Sequence, residues 1–78
     1  MRITMLGTGA AFADPDRAQS GILITLDNGR NYLFDCGAGI TRNMVRANVS
    51  PADVEAVFLT HMHHDHICDF PLFVITGW

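Results

Sequence analysis

Thr60-His61-Met62-His63-His64-Asp65-His66 is the most informative stretch of this sequence, because it holds all four histidines of the 78 residues together with an aspartate. Imidazole nitrogens and carboxylate oxygens are the donors that zinc and similar divalent ions bind in proteins. A purification tag would be uniform and terminal, whereas this run is mixed, internal and preceded by an apolar segment. The stretch therefore predicts a metal site.

Side-chain alternation divides the stretch into ligand pairs. In extended backbone, His61 and His63 project to the same side and can share one metal ion. Asp65 and His66 follow where the chain should turn, and they point to a second ion nearby, whereas His64 faces away as a non-ligand. A catalytic zinc site usually has about three protein ligands. Since no other histidine exists in the chain, the remaining ligands are expected to come from outside it.

The chemistry expected of such a site is hydrolysis. A hydroxide generated on the metal ions, by the lowered pKa of bound water, would be the nucleophile. Asp65 would hold one ion and orient that water or accept its proton, which makes it the candidate catalytic residue.

The rest of the sequence predicts a mixed α/β fold. Asn28-Gly29 between two apolar runs predicts an antiparallel hairpin. A strand, a helix and another strand then form a right-handed parallel βαβ unit. The apolar strands alternate so little with polar residues that a sheet covered on both faces is expected. The predicted elements are strands at 2–6, 21–26, 31–34 and 55–59, a helix from residue 40 with Ile40, Met44 and Ala47 on one face, a short helical turn at 50–53, and a buried apolar helix with Pro71 in its first turn.

Asp35 follows the second strand of the hairpin, 26 residues before His61. Ligands gather at the carboxyl ends of parallel strands, so the βαβ unit brings Asp35 to the same edge as the histidines. Its carboxylate is predicted to hydrogen-bond to a metal ligand and orient it. The alternative is that Asp35 caps the helix that starts after Gly37.

The loop after the first strand carries two further signals. Gly7-Thr8-Gly9 lacks the third glycine of a dinucleotide-binding turn, and close approach of the backbone is the better interpretation. Arg17 lies in the polar loop 10–20, where it could contact an anionic substrate or remain a solvated charge.

Composition limits the function classes. The chain is 49% hydrophobic and 17% charged, with a mean hydropathy of +0.20, which suits one incomplete domain spanning residues 1–78 that forms part of a larger core. The longest apolar run is far below the roughly 18–20 residues of a membrane helix, so no membrane partner is predicted. The net charge of −3 gives no support for nucleic acid. Without a secretory signal, Cys36 and Cys68 are read as reduced, packed thiols of a cytoplasmic protein.

The run His61 to His66 matches the HxHxDH motif of the metallo-β-lactamase superfamily. Over nearly its whole length, the chain resembles the ribonuclease Z and arylsulfatase-like branch of this superfamily. The stretches that carry this resemblance are Leu6 to Ala11, Pro15 to Arg17, Ser20-Gly21, Leu33 to Gly37 and Leu59 to His61.

The resemblance implies the N-terminal half of an αββα sandwich with two metal ions, usually zinc, with manganese or iron as alternatives. It assigns His61 and His63 to the first ion, Asp65 and His66 to the second, and Asp35 to a supporting position. It further implies a metal-dependent hydrolase of a phosphodiester or of a sulfate or carboxylic ester, and a homo-oligomer in the full-length form. Small-molecule or phosphodiester substrates are expected, while tRNA is less secure because Asp69 stands where this branch often has glycine. The alternative is a truncated or non-catalytic metal-binding fragment that needs a further segment or chain.

Overall fold

A computed structural model describes residues 1–78 and contains one four-stranded sheet in the order β1-β2-β3-β4. Strands β1, β2 and β3 pair antiparallel, and β4 pairs parallel to β3. The mixed sheet with a hairpin and a βαβ unit is therefore confirmed, with strand ends within one residue of the prediction. The elements are β1 (Arg2–Gly7), β2 (Gly21–Thr25), β3 (Asn31–Phe34), α1 (Ile40–Arg46), a 3-10 turn (Pro51–Asp53), β4 (Val54–Phe58), α2 (His64–Ile67) and α3 (Phe70–Gly77).

The turn between β2 and β3 contains a single left-handed residue. Gly29 has a φ of 86° and donates its amide to the Leu26 carbonyl at 2.9 Å. Leu26 in turn donates its amide to the Arg30 carbonyl at 2.9 Å. Glycine meets this backbone requirement without a steric cost, and the turn aligns Leu23 with Leu33 across the two strands.

The core lies on one face of the sheet, where α1 and α3 pack. Helix α1 buries Ile40, Thr41 and Met44, so the expectation that Ala47 would lie on the buried face is wrong. The helix ends at Arg46, and Asn48, with a φ of 62°, turns the chain away. The buried apolar side chains are Leu6, Leu23, Leu33, Cys36, Ile40, Met44 and Phe73.

The opposite face of the sheet carries no helix. Ile3 and Met5 on this face are 58% and 57% exposed, and Phe58 is 47% exposed. The expectation of a sheet covered on both faces is therefore wrong for this chain, because both longer helices pack on the core side. We refer to this surface as the open sheet face; the strand register places Ile3, Ile24, Tyr32 and Ala56 in one row across it and Met5, Ile22, Phe34 and Phe58 in the next.

Helix α3 is also less covered than its composition predicts. Pro71 occupies the first turn as expected, but only Phe73 is buried, while Leu72 and Ile75 are 52% and 73% exposed. The helix meets the core along one narrow stripe, because α1 and the 3-10 turn are its main neighbours. None of the helices is long and apolar enough to cross a membrane.

Candidate metal centre

Asp35 stands where β3 ends, beside the exit of β4. Its amide donates to the Phe58 carbonyl at 2.9 Å, and its φ of 66° turns the chain out of the sheet. The buried carboxylate accepts the Thr60 amide at 2.8 Å and the Thr60 hydroxyl at 2.8 and 3.0 Å on its two oxygens. Its Oδ2 also accepts His66 Nδ1 at 2.8 Å. The predicted proximity of Asp35 to the histidine stretch is thus observed.

The alternative role of Asp35 as a helix cap is wrong. Helix α1 has Gly39 at its N-cap position and no side-chain cap there. The carboxylate that reaches its first turn belongs to Asp69, whose Oδ2 accepts the Thr41 amide at 2.8 Å.

Hydrogen bonding determines the charge state of Asp35. Burial raises the pKa of its carboxyl, but the hydrogen bonds from the Thr60 amide, His66 and the Thr60 hydroxyl, together with the charge of His66, outweigh burial and lower the pKa from its ordinary value. The carboxylate is therefore ionised at neutral pH. An ionised Asp35 can only accept, so the His66 Nδ1 carries the hydrogen in this contact.

Thr60 makes the corresponding contact with the Nδ1 of His61. Its single hydroxyl hydrogen is donated to Asp35, and its oxygen lies 3.0 Å from His61 Nδ1. His61 Nδ1 is therefore the donor in that contact. No sequence pattern marked Thr60, because a threonine between a strand and a histidine has many ordinary roles.

The side chains of the four candidate ligands, His61, His63, Asp65 and His66, lie close to one another. The ring centroids of His61 and His66 are 3.9 Å apart, and those of His61 and His63 are 4.7 Å apart in an edge-to-face arrangement. His66 Nε2 lies 3.4 Å from Asp65 Oδ2. The side chains are neighbours, but no three His, Cys, Asp or Glu side chains converge in a geometry that could hold a metal ion.

His64 has a contact of its own outside this group. Its Nε2 lies 2.8 Å from the Ala11 carbonyl in the loop after β1. This contact joins the loop to α2, and the assignment of His64 as a non-ligand stays a prediction.

Gln19 is a buried residue that sequence reasoning missed. Its Nε2 donates to the Ala11 carbonyl at 3.2 Å, and its Oε1 accepts the Ala38 amide at 3.0 Å and the Cys68 thiol at 3.1 Å. One side chain thus joins the loop after β1, the segment after β3 and the end of α2.

The loop after β1 is tightly held, since Gly9 donates to the Ala18 carbonyl at 2.7 Å and a Cβ on Gly7 would collide with the Gln19 carbonyl. The predicted close approach at the glycines is confirmed.

The two free cysteines differ in their surroundings. Cys36 is fully buried in the core, and burial followed by the negative charge of Asp69 raises the pKa of its thiol to about 12. Cys68 is exposed, so the expectation that it packs in the interior is wrong.

The largest cavity, about 490 Å³ between Asn28–Asn31 and Ala52–Glu55, lies at the opposite ends of β3 and β4 from Asp35.

The fold and the site together define a class. A mixed sheet whose parallel strands end in an aspartate and in an HxHxDH run has the architecture of the metallo-β-lactamase superfamily, ribonuclease Z-like branch. Within that class, the family described as "Anti-Pycsar protein Apyc1" matches residues 1–76, and this chain belongs to that family.

Individual relatives agree with the class. Ribonuclease Z of Mycobacterium marinum (strain ATCC BAA-535 / M) is 41% identical over 78 residues, which is 100% of this chain and 28% of that protein. The crystal structure of human tRNase Z, short form (ELAC1), aligns with a TM-score of 0.88 at 32% identity, over 96% of this chain and 29% of that one. The metallo-β-lactamase fold protein YhfI from Bacillus subtilis aligns with a TM-score of 0.84 at 30% identity, over 95% of this chain and 30% of that one. The chain thus spans under a third of the length of these relatives.

Proposed function

We propose that this chain contributes one half of a two-metal centre to a metal-dependent hydrolase that cleaves a phosphodiester, or less favourably a sulfate or carboxylic ester. The observation that carries the proposal is the Asp35–His66 contact of 2.8 Å. In a neutral imidazole this contact selects the tautomer whose Nε2 can bind a metal ion, which is the arrangement by which carboxylates support metal-binding histidines. The phosphodiester is favoured because the relatives are ribonucleases Z.

The imidazole and carboxylate donors are of the types that the proposed ions bind, but there are too few of them to complete either site. His61 and His63 would hold one ion, and Asp65 and His66 the other, each as a neighbouring pair. Since no three side chains converge on one point, the remaining ligands would come from residues outside this chain. Bound ions would supply Lewis acidity and lower the pKa of water, with zinc as the first candidate and manganese or iron as alternatives.

The chain's own residues have separable tasks in this proposal. Asp35 holds the ring of His66 and, through Thr60, the ring of His61. Asp65, whose carboxylate lies beside His66 Nε2, would orient a water or accept its proton.

The test is a zinc titration by calorimetry of the 78-residue chain and of His63→Ala and His66→Ala variants. Each variant is expected to weaken binding at least tenfold, because it removes one of only two donors. Asp35→Asn should weaken binding by about 10–100-fold, as loss of such supporting contacts does. The matched control is His64→Ala, whose imidazole contacts the Ala11 carbonyl instead, and equal affinities for His63→Ala and His64→Ala would contradict the proposal.

The alternative function is a metal-binding fragment that hydrolyses nothing alone, and the lack of a third converging ligand favours it for the isolated chain. Turnover of bis(p-nitrophenyl) phosphate by the zinc-loaded chain distinguishes the two. Zinc binding without turnover supports the fragment, and turnover that is lost in His63→Ala supports a self-sufficient enzyme. A form extended to the length of the relatives should then show the activity.

A further inference from the structure

A small cavity of about 160 Å³ lies between the loop after β1 and the start of α1. It has room for a group several times the volume of a water molecule. Half of its eight lining residues are small, namely Ala13, Ala18, Ala38 and Gly39. These residues leave the polar character of the cavity to a few longer side chains.

Two arginines line this cavity from distant parts of the sequence. Arg17 belongs to the loop and Arg42 to α1. Neither has a carboxylate within 4.0 Å, whereas Arg30 pairs with Glu55. Asp14 also lines the cavity, but its Oδ1 already accepts the Asp16 amide at 2.8 Å. The cavity therefore carries two positive charges and one negative charge in a chain whose net charge is −3.

Gln19 connects the cavity to the candidate metal centre. It lines the cavity, and its side chain bonds to Cys68 at the end of α2 and to the Ala11 carbonyl that His64 also contacts. The cavity and α2 thus lie on two sides of one buried side chain.

We propose that Arg17 and Arg42 form a phosphate subsite, which rests on the proposed function and gives its substrate class a second contact. Guanidinium groups suit this task because their planar forks bind the oxygens of a phosphate in pairs. The subsite takes a phosphate of a nucleic-acid strand, either a terminal monoester or an internal diester, at a position separate from the bond that is cleaved. Charged contacts of this kind account for much of the affinity of proteins for nucleic-acid backbones.

The experiment follows backbone amide and arginine Nε–H resonances of the isotopically labelled chain by NMR in low salt with EDTA. The probes are inorganic phosphate, a 5′-phosphorylated thymidine dinucleotide and the same dinucleotide without the 5′-phosphate. Shifts are expected at Arg17 and Arg42, and Arg17→Gln and Arg42→Gln should each weaken binding about tenfold. Asp14→Asn should strengthen binding severalfold, since it removes the negative charge. Arg46→Gln is the matched control, because Arg46 lies on the same helix and outside the cavity.

Equal binding by the Arg17, Arg42 and Arg46 variants would overturn the subsite, as would the absence of shifts at both arginines in a chain whose spectrum shows it to be folded. Binding of inorganic phosphate without either dinucleotide would also overturn it, since the cavity would then exclude a nucleic-acid phosphate. The two dinucleotides distinguish a terminal from an internal phosphate. Because EDTA removes metal, these affinities are measured independently of zinc, and a failed zinc titration is then separate from a failed subsite.

Discussion

The Asp35 carboxylate accepts the amide and the hydroxyl of Thr60 and the Nδ1–H of His66, so three donors depend on one buried group. Asp35→Asn keeps the size and tolerates the φ of 66°, since asparagine adopts left-handed backbone readily. It replaces one acceptor oxygen by an NH₂ group and removes the charge. We expect a loss of about 2–4 kcal/mol in the free energy of unfolding, measured by urea denaturation followed by circular dichroism.

Asp16→Asn is the control for that measurement, because Asp16 is exposed and its carboxylate makes no hydrogen bond. Values for the two variants within about 0.5 kcal/mol of each other would mean that the Asp35 contacts contribute little.

Cys36 predicts how stability changes at alkaline pH. Its pKa is raised to about 12 in the folded chain by burial and by Asp69, whereas an unfolded cysteine titrates near 8.5. Between these two values the unfolded chain loses the proton and the folded chain keeps it, so the free energy of unfolding falls as pH rises. The slope should approach about 1.4 kcal/mol per pH unit. The measurement is urea denaturation at several pH values from 8 to 12.

The absence of lysine makes this slope easy to assign, since all five basic side chains are arginines. Cys36→Ala should remove most of it, and Cys68→Ala should not, because Cys68 is exposed. An unchanged slope in Cys36→Ala would contradict the assignment to the buried thiol.

At the scale of elements, Asp69 ties two helices together. Its carboxylate accepts the Thr41 amide of α1, and its carbonyl accepts the Phe73 amide of α3 at 2.9 Å. Asp69→Ala should cost about 1–2 kcal/mol, as the loss of a capping acceptor does. Asp69→Asn keeps an acceptor oxygen and should cost less than half of that in the same denaturation measurement. Equal costs for the two variants would show that the carboxylate does not act as a cap.

The arrangement of the strands and helices also shows which structural features can be predicted from the sequence. The βαβ handedness and the strand ends predicted that Asp35 would lie at the same edge as the histidine stretch, and the structure shows that it contacts His66, 31 residues away. Gln19 was out of reach, because a lone glutamine in a polar loop belongs to no periodic pattern. The exposure of Ile3 and Met5 was equally hidden, since an apolar strand has the same sequence whether or not something covers it. The roles of His61, His63, Asp65 and His66 as ligands remain a prediction.

At the scale of the whole molecule, the open sheet face is the largest departure from an ordinary small protein. Extended apolar surface of this kind marks an interaction site or an aggregation liability. We expect the chain to enhance the fluorescence of 1-anilinonaphthalene-8-sulfonate, and the double change Ile3→Thr with Met5→Thr to reduce it. Threonine keeps the preference for strands, so the free energy of unfolding should change by less than about 1 kcal/mol.

Phe12→Ser is the control for dye binding, because Phe12 is 89% exposed in a loop outside the open sheet face. Equal dye fluorescence in the double variant and in the unaltered chain would place the dye elsewhere, for example on the exposed side chains of α3.

The parallel pairing of β3 and β4 also sets the order in which the molecule can fold. The β2–β3 hairpin closes through one short turn, whereas the contacts of Asp35 with Thr60 and His66 span 25 and 31 residues. Contacts over longer loops cost more chain entropy and form later. In pulse-labelling hydrogen exchange during refolding, the Leu26 amide should therefore become protected before the Thr60 amide. A substitution that slows the formation of α1, which connects β3 to β4, would then delay the Asp35–His66 hydrogen bond, while the β2–β3 hairpin would form at its usual rate.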